Sequence, residues 1–119
     1  MISWEKSINI KSDFELEIMR EAGRINAEAL YKAVEMVKPG ITTAELNEAF
    51  EMVQKKYDVY SPFKNYPGPY PYPASICTSV NDELVHGIPG KRKLIEGDII
   101  SIDAGTVYQG FVGDMAVTV

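Results

Sequence analysis

The chain has 119 residues, of which 45% are hydrophobic, and a formal net charge of -5. This length allows at most one domain with a modest core, and the acidic balance excludes a typical nucleic-acid-binding surface. No apolar run approaches the ~20 residues of a membrane span, the first residues lack the apolar core of a secretory signal, and a single cysteine excludes an internal disulfide. We therefore expect a cytoplasmic protein without nucleic-acid or membrane partners.

Residues 1–11 are predicted to form a tail or short arm, followed by a first helix. Ser12 and Glu15 have the spacing of a capping box, in which each side chain bonds the other residue's backbone amide. Pro39 and Gly40 are expected to stop this helix. Apolar residues recur every three or four positions between these signals, which predicts a core-facing stripe: Ile18, Ala22, Ile25, Ala29, Ala33 and Met36.

A second capping box predicts a second helix. Thr42 and Glu45 repeat the spacing of the first box, and Ile41 and Leu46 stand at the positions of a hydrophobic staple. The stripe of this helix is predicted to face the core as well, and it comprises Leu46, Phe50, Val53 and Tyr57.

Residues 60–73 are not expected to form regular structure, because proline removes backbone donors and restricts the preceding residue. The segment holds five of the seven prolines and four of the seven tyrosines. It is consistent with a stiff loop or linker, with a proline-rich ligand for a recognition module, or with a rigid wall of an apolar pocket. The absence of a spaced basic residue disfavours the ligand, and loop and wall stay open.

Strands are expected in the second half of the chain. Residues 74–80 predict one strand, with Ser75, Cys77 and Ser79 on one face. Two further β-rich runs follow, one around Asp103 and one around Asp114. Because helices come first and strands last, the predicted class is α+β with a mostly antiparallel sheet.

Asp103 and Asp114 form the most informative pair in the sequence. A four-residue hairpin loop at 107–110 would place them directly opposite each other on one face, with Cβ atoms ~5 Å apart. Two carboxylates at that distance need a proton, a cation or water between them, and a divalent metal would supply the cation. A solvated pair is the common alternative, and a three-residue loop would put the two on opposite faces. The apolar neighbours favour two largely buried strands and therefore a metal: Ile99, Ile100, Ile102, Ala116 and Val117.

His86 is the single histidine of the chain. A lone histidine usually has a structural role, but Gly87 and Pro89 follow it closely, and a constrained backbone there could aim the ring into a cavity. If the strand aspartates hold a metal, the partner of His86 could be a substrate carbonyl or amide rather than the metal.

The order and spacing of several motifs together resemble the amino-terminal half of type I methionine aminopeptidase, of the bacterial cytosolic kind. The resemblance runs from about Ile10 to Val119. It is carried by EIMREAGRINAEAL, VKPGITTAEL, YPASICTSVNDELVHGIPG, GDIISIDAG and GFVGDMAVT.

The resemblance implies that residues 12–119 form half of a pita-bread catalytic domain, whose second half is absent. In that family, two α+β halves enclose a dinuclear site that takes Mn, Fe, Co or Zn. Asp103 matches a ligand that chelates one metal, and Asp114 matches the carboxylate that bridges both. His86 matches the unligated histidine that contacts substrate. Positions that line the methionine pocket are matched by Cys77, Tyr72 and, where the extra prolines blur the alignment, Tyr66.

The implied activity is removal of N-terminal methionine from nascent proteins when the next residue is small, by metal-assisted hydrolysis. A histidine and two glutamates that complete the metal site in the family have no counterpart here, so the isolated chain is expected to be inactive. The implied partners are N-terminal Met peptides and either the missing C-terminal half or a second copy of the chain. A non-catalytic binding module and a self-associating half-fold are the alternatives.

Overall fold

The computed structural model describes residues 7–119, which form two helices followed by a three-stranded sheet. The helices are α1 (Asp13–Glu35) and α2 (Thr43–Lys56), and the strands are β1 (Ile76–Val80), β2 (Ile100–Tyr108) and β3 (Phe111–Thr118). The order of helices before an antiparallel sheet is the predicted α+β arrangement. Residues 8–11 lie in neither helix nor strand, and the rest of the predicted tail, residues 1–6, is outside the described residues. No helix within residues 7–119 is long and apolar enough to cross a membrane.

Both helices begin where the capping boxes predict. Ser12 and Thr42 are the N-caps, and each exchanges both capping-box hydrogen bonds with the glutamate three residues later. In the predicted stripes, Ala22, Ile25, Ala29, Ala33, Leu46 and Phe50 are buried, while Ile18, Met36, Val53 and Tyr57 are only partly buried. The caps satisfy amides that an isolated helix end would leave unpaired, so they fix where each helix starts.

The sheet has the order β1-β2-β3, and both neighbouring pairs are antiparallel. Its helix-facing side forms the core with the buried residues of α1 and α2. This core contains Ala29, Leu30, Ala33, Ile41, Leu46, Phe50, Ile76, Val80, Leu94, Ile100, Ile102 and Ala104. The opposite side carries the alternate residues of each strand, including Cys77, Asp103 and Asp114, because successive strand residues point to opposite faces.

The hairpin between β2 and β3 differs from its predicted register. A two-residue turn, Gln109 and Gly110, joins the strands, and both residues have positive φ (47° and 81°). Such a turn follows the twist of the strands better than a four-residue loop. Asp103 therefore pairs with Ala116, and Asp114 pairs with Gly105. The prediction that the two aspartates lie directly opposite each other was wrong. The strand register is shifted by two residues, which keeps both side chains on one face.

The prediction that both hairpin strands are largely buried was also wrong. β2 is mostly buried, whereas Asp114 and Ala116 on β3 are exposed and Val117 is half-buried. Ile99, which precedes β2, is 54% exposed. β3 is an edge strand that α1 covers on one face alone, so its alternate residues face solvent. At Gly113 an added Cβ would lie 2.7 Å from the Ala22 carbonyl oxygen, so α1 rests directly on the backbone of β3.

A buried polar network ties both helices to β2 beside Asp103. Asn26 of α1 donates from Nδ2 to the Ala104 carbonyl at 3.0 Å and accepts from Thr106 Oγ1 at 2.9 Å. Gln54 of α2 donates from Nε2 to Thr106 Oγ1 at 2.9 Å and to the Gly105 carbonyl at 3.1 Å. These bonds fix the backbone of β2 at residues 104–106, directly after Asp103.

Candidate metal and substrate site

An open cavity of about 390 Å³ lies on the side of the sheet that faces away from the helices. All six residues singled out in the sequence line it, together with one further aromatic residue. The lining comprises Phe63, Tyr66, Tyr72, Cys77, His86, Asp103 and Asp114. The fold therefore brings together residues that lie up to 51 positions apart in the chain, from Phe63 to Asp114.

The two aspartates are diagonal neighbours on this face, because Asp114 pairs with Gly105, two residues beyond Asp103. Diagonal neighbours have backbones ~7–8 Å apart, which leaves room for a cation between the carboxylates. Burial raises the pKa of Asp103, and the negative charge of Asp114 raises it further, while His86 and the Ala104 amide partly offset both effects. A raised carboxyl pKa means that the ionised pair is unfavourable without a compensating positive charge.

Cys77 lies directly opposite Asp103 and is 7% exposed. Burial raises the pKa of the Cys77 thiol. A hydrogen bond from Tyr72 lowers this pKa in part, and the charge of Asp103 raises it further. Burial likewise raises the pKa of Tyr72, whose hydroxyl donates to the Ile76 carbonyl at 2.9 Å and lies 3.2 Å from Cys77 Sγ. Both groups are therefore neutral near pH 7, so this wall of the cavity carries no charge.

The proline-rich segment forms the aromatic wall of the cavity, as the third sequence interpretation proposed. Its start is fixed to the sheet, since the Val107 amide donates to the Tyr60 carbonyl at 2.8 Å and Ser61 Oγ donates to the Ser75 carbonyl at 2.6 Å. Pro62 and Phe63 then lie over Gly105, where an added Cβ would be 3.0 Å from Pro62 Cγ and 3.1 Å from the Phe63 ring. Tyr66 is 67% exposed and stands at the rim.

His86 has a φ of 60°, in the left-handed region that histidine adopts more readily than most residues. The following residue, Gly87, is buried against β1, and an added Cβ there would lie 2.0 Å from the Thr78 carbonyl oxygen. The constrained backbone expected from the sequence is therefore present, and it turns the His86 side chain to the cavity.

The donor set suits a hard or borderline divalent ion but does not complete a site. Carboxylate oxygens and an imidazole are ligands for Mn, Fe, Co and Zn, and a cation would offset the burial and the charge of Asp114 that raise the pKa of Asp103. Within residues 7–119, however, no group of three or more His, Cys, Asp or Glu side chains is arranged to hold a metal ion. The described part of the chain thus brings two carboxylates and one imidazole to the same cavity without a complete set of metal ligands.

Phe63 is the cavity residue that sequence reasoning missed. The signal was an aromatic residue directly after Pro62 in the segment already considered as a wall. Its role became visible only with Gly105, 42 positions later, because the missing side chain of Gly105 makes room for the ring.

Most of the chain matches one known protein family. Residues 17–119 match metallopeptidase family M24. The chain therefore belongs to this family, and membership implies dependence on a divalent metal.

The similar curated proteins are methionine aminopeptidases, which confirms the resemblance noted in the sequence. Methionine aminopeptidase 1 of Bacillus subtilis is 51% identical over 108 residues, which cover 91% of this chain and 42% of the relative. The methionine aminopeptidase of Clostridium acetobutylicum is 49% identical over 112 residues, covering 93% and 44%. The chain thus spans less than half the length of the curated relatives it matches.

Solved structures confirm the predicted half of a pita-bread fold. The methionine aminopeptidase of Thermotoga maritima superposes with a TM-score of 0.87 at 43% identity, covering 94% of this chain and 44% of that one. Escherichia coli aminopeptidase P, with a TM-score of 0.73 at 24% identity, shares the fold over 91% of this chain and 23% of its own.

Proposed function

We propose that this chain supplies one half of the active site of a methionine aminopeptidase, which removes N-terminal methionine from nascent proteins when the next residue is small. The observation that carries the proposal is the convergence of Asp103, Asp114 and His86 on one apolar-walled cavity, in a chain similar to methionine aminopeptidases. A cytoplasmic location belongs to the proposal, since nascent chains carry their initiator methionine there.

The proposed roles follow from the chemistry of each side chain. Two divalent ions, of Mn, Fe, Co or Zn, would supply an activated water and electrostatic stabilisation of the reacting oxygens when bound. Asp103 and Asp114 would hold these ions, whose positive charge would offset the burial and the repulsion from Asp114 that raise the pKa of Asp103. His86 would hydrogen-bond the scissile peptide and stabilise the charge that develops on it.

The apolar wall would bind the methionine side chain. Tyr72 and Cys77 are uncharged near neutral pH because burial raises the pKa of both, so they offer polarisable, neutral surface. Phe63 and Tyr66 add aromatic area, against which a thioether sulfur packs favourably. The neutral thiol of Cys77 also leaves the metals to the carboxylates, since a thiol must ionise to become a strong ligand.

The isolated chain is proposed to be inactive because two carboxylates cannot fix two metals in a closed geometry. The test compares it with a chimaera in which this chain replaces the matching 42% of the Bacillus subtilis relative. Both are assayed on a Met-Ala-Ser peptide with Mn or Co. We expect turnover of ~1 s⁻¹ or faster from the chimaera and none from the chain alone. Turnover at that rate by verified 119-residue material would refute the ligand argument.

His86→Ala in the chimaera separates substrate contact from metal binding. We expect the metal content to stay unchanged while kcat falls by ~10²–10³, the usual cost of losing one donor to a developing oxyanion. Metal loss in proportion to the loss of activity would identify His86 as a ligand instead.

A second candidate function, self-association, rests on the outer edge of β3. Ile100 and Val119 exchange both backbone hydrogen bonds, so by alternation the amides of Asp114, Ala116 and Thr118 point away from β2. Within the described residues no strand lies beside that edge. The complementary half of the active site would cover it in the first proposal, and a second copy of this chain would cover it in the alternative.

Light scattering of the purified chain distinguishes these two occupants. Self-association through β3 predicts a dimer that Ala116→Pro dissociates, because proline removes an outward amide without breaking the ladder to β2. Ala116→Val is the matched control and should leave the dimer intact. A monomer at all concentrations would contradict the alternative.

A further inference from the structure

Within the described residues, the backbone anchor nearest to His86 in sequence is the next residue, Gly87. On the N-terminal side the nearest is Glu83, whose amide donates to the Val80 carbonyl at 3.1 Å. Before His86, Leu84 and Val85 are 89% and 62% exposed. After it, the Gly87 carbonyl accepts from the Thr78 amide at 2.7 Å, and the Gly87 amide donates to Ser79 Oγ at 3.1 Å. The Tyr72 hydroxyl adds a longer contact to the same carbonyl, at 3.4 Å. The position of His86 thus depends on how firmly Gly87 is fixed to β1.

The bond from Gly87 to Ser79 replaces one that a strand partner would normally make. In an antiparallel ladder, the two residues of each hydrogen-bonded pair exchange two backbone hydrogen bonds, whereas here the second acceptor is a side-chain hydroxyl. Ser79 is 5% exposed and lies on the cavity side of the sheet, since it alternates with Thr78 and follows Cys77 by two. Without this hydroxyl, the buried Gly87 amide would have no partner, which costs more than the bond itself contributes.

We propose that Ser79 is a positioning residue for His86. Its hydroxyl fixes the Gly87 amide, and the fixed peptide holds His86 in the left-handed conformation that turns the ring into the cavity. The catalytic consequence rests on the proposed function of His86, whereas the positional effect does not.

Nuclear magnetic resonance of the 119-residue chain tests the positional effect. Ser79→Ala should speed hydrogen exchange of the Gly87 amide by about tenfold or more, and it should shift the ring resonances of His86. Ser79→Thr should preserve both signals, while its isosteric counterpart Ser79→Val should behave like alanine. Ser101→Ala is the matched control, because Ser101 pairs with Ser79 across the strands and bonds Thr118 instead.

Two results would overturn the positional claim. One is a Gly87 amide that stays equally protected in the alanine and valine variants. The other is a Ser101→Ala variant that moves the His86 resonances as much as the variants at position 79 do. If Ser79→Ala does not fold, comparison of Ser79→Thr with Ser79→Val tests the positional claim, since these side chains differ only by a hydroxyl in place of a methyl group.

The chimaera then tests the catalytic consequence separately. Ser79→Ala should lower kcat by ~10–10², as a small misplacement of a catalytic group does, with KM and metal content unchanged, and Ser79→Thr should restore kcat. Displaced His86 resonances with full kcat would show that the positioning exists but that the proposed role of His86 is wrong. Unmoved resonances would refute the positioning itself.

Discussion

Replacing Thr106 by valine should weaken the buried network that joins both helices to β2. Thr106 is fully buried, and its hydroxyl accepts from Gln54 and donates to Asn26, both at 2.9 Å. Valine keeps the volume and the β-branch, so packing changes little. Gln54 retains its bond to the Gly105 carbonyl, whereas Asn26 Oδ1 is left buried without a partner.

The expected loss of stability is about 2 kcal/mol, because an orphaned buried acceptor costs ~1–3 kcal/mol. For a domain of this size, that loss lowers Tm by about 8 °C. Urea titration should show a lower midpoint with an unchanged slope, since the surface exposed on unfolding stays the same.

Thr118→Val is the matched control for this prediction. Thr118 lies on β3, is exposed, and bonds Ser101 at 2.7 Å, so its loss should cost less than ~0.5 kcal/mol. Asn26→Ala combined with Thr106→Val should cost less than the sum of the two single changes, because each removes the same bond. Equal costs at positions 106 and 118, or strict additivity with Asn26, would refute the network's role.

Three further variants probe the two aspartates, the packing of Gly105 and the carboxylate of Glu51 on α2. Asp114→Asn should leave the metal-free chain as stable or slightly more stable, because it removes a charge that raises the pKa of Asp103, and it should weaken Mn binding in calorimetry. Gly105→Ala should cost ~1–3 kcal/mol by overpacking, since its Cβ would meet Pro62 Cγ at 3.0 Å and the Phe63 ring at 3.1 Å; thermal unfolding measures this. Glu51→Gln should cost about 0.5–1 kcal/mol at pH 7 in urea titrations, and the difference from wild type should vanish on acidification.

The sign of the Glu51 prediction follows from its partners. Burial acts to raise the pKa of Glu51, but hydrogen bonds from Lys64, Ser75 and Asn47 outweigh it and lower the pKa. A lowered carboxyl pKa contributes stability above the unfolded value of about 4.5, and this is lost as pH falls through the folded value. Glu48→Gln, an exposed site on the same helix, is the matched control and should change the free energy of unfolding at pH 7 by less than ~0.5 kcal/mol.

The predictions for Asp114→Asn and Gly105→Ala can each be contradicted by a specific result. Equal Mn affinity for wild type and Asp114→Asn would mean that the aspartates are a solvated hairpin pair. Gly23→Ala is the control for Gly105→Ala, since nothing lies within 4 Å of its Cβ position. Equal stability of these two alanine variants would show that the aromatic wall yields easily and that Gly105 does not seat Phe63.

Local signals determined the helices and the family. Ser12 and Thr42 cap their helices through residues three positions away, so a few neighbours contain all the information. The motifs that carry the resemblance are likewise short runs in a fixed order, and six cavity residues could be named from them.

Tertiary structure decided whatever depends on two distant segments at once. The turn at Gln109 and Gly110 set the register of Asp103 against Asp114, because turn geometry fixes strand pairing while the alternating pattern fixes only the face. The edge position of β3 exposed Ala116 despite its apolar neighbours. The contact of Phe63 with Gly105 joins two segments that are distant in sequence, so no local pattern predicts it. The sequence thus determined where each helix starts and which residues were candidates for the site. Tertiary packing determined which of those residues face one another.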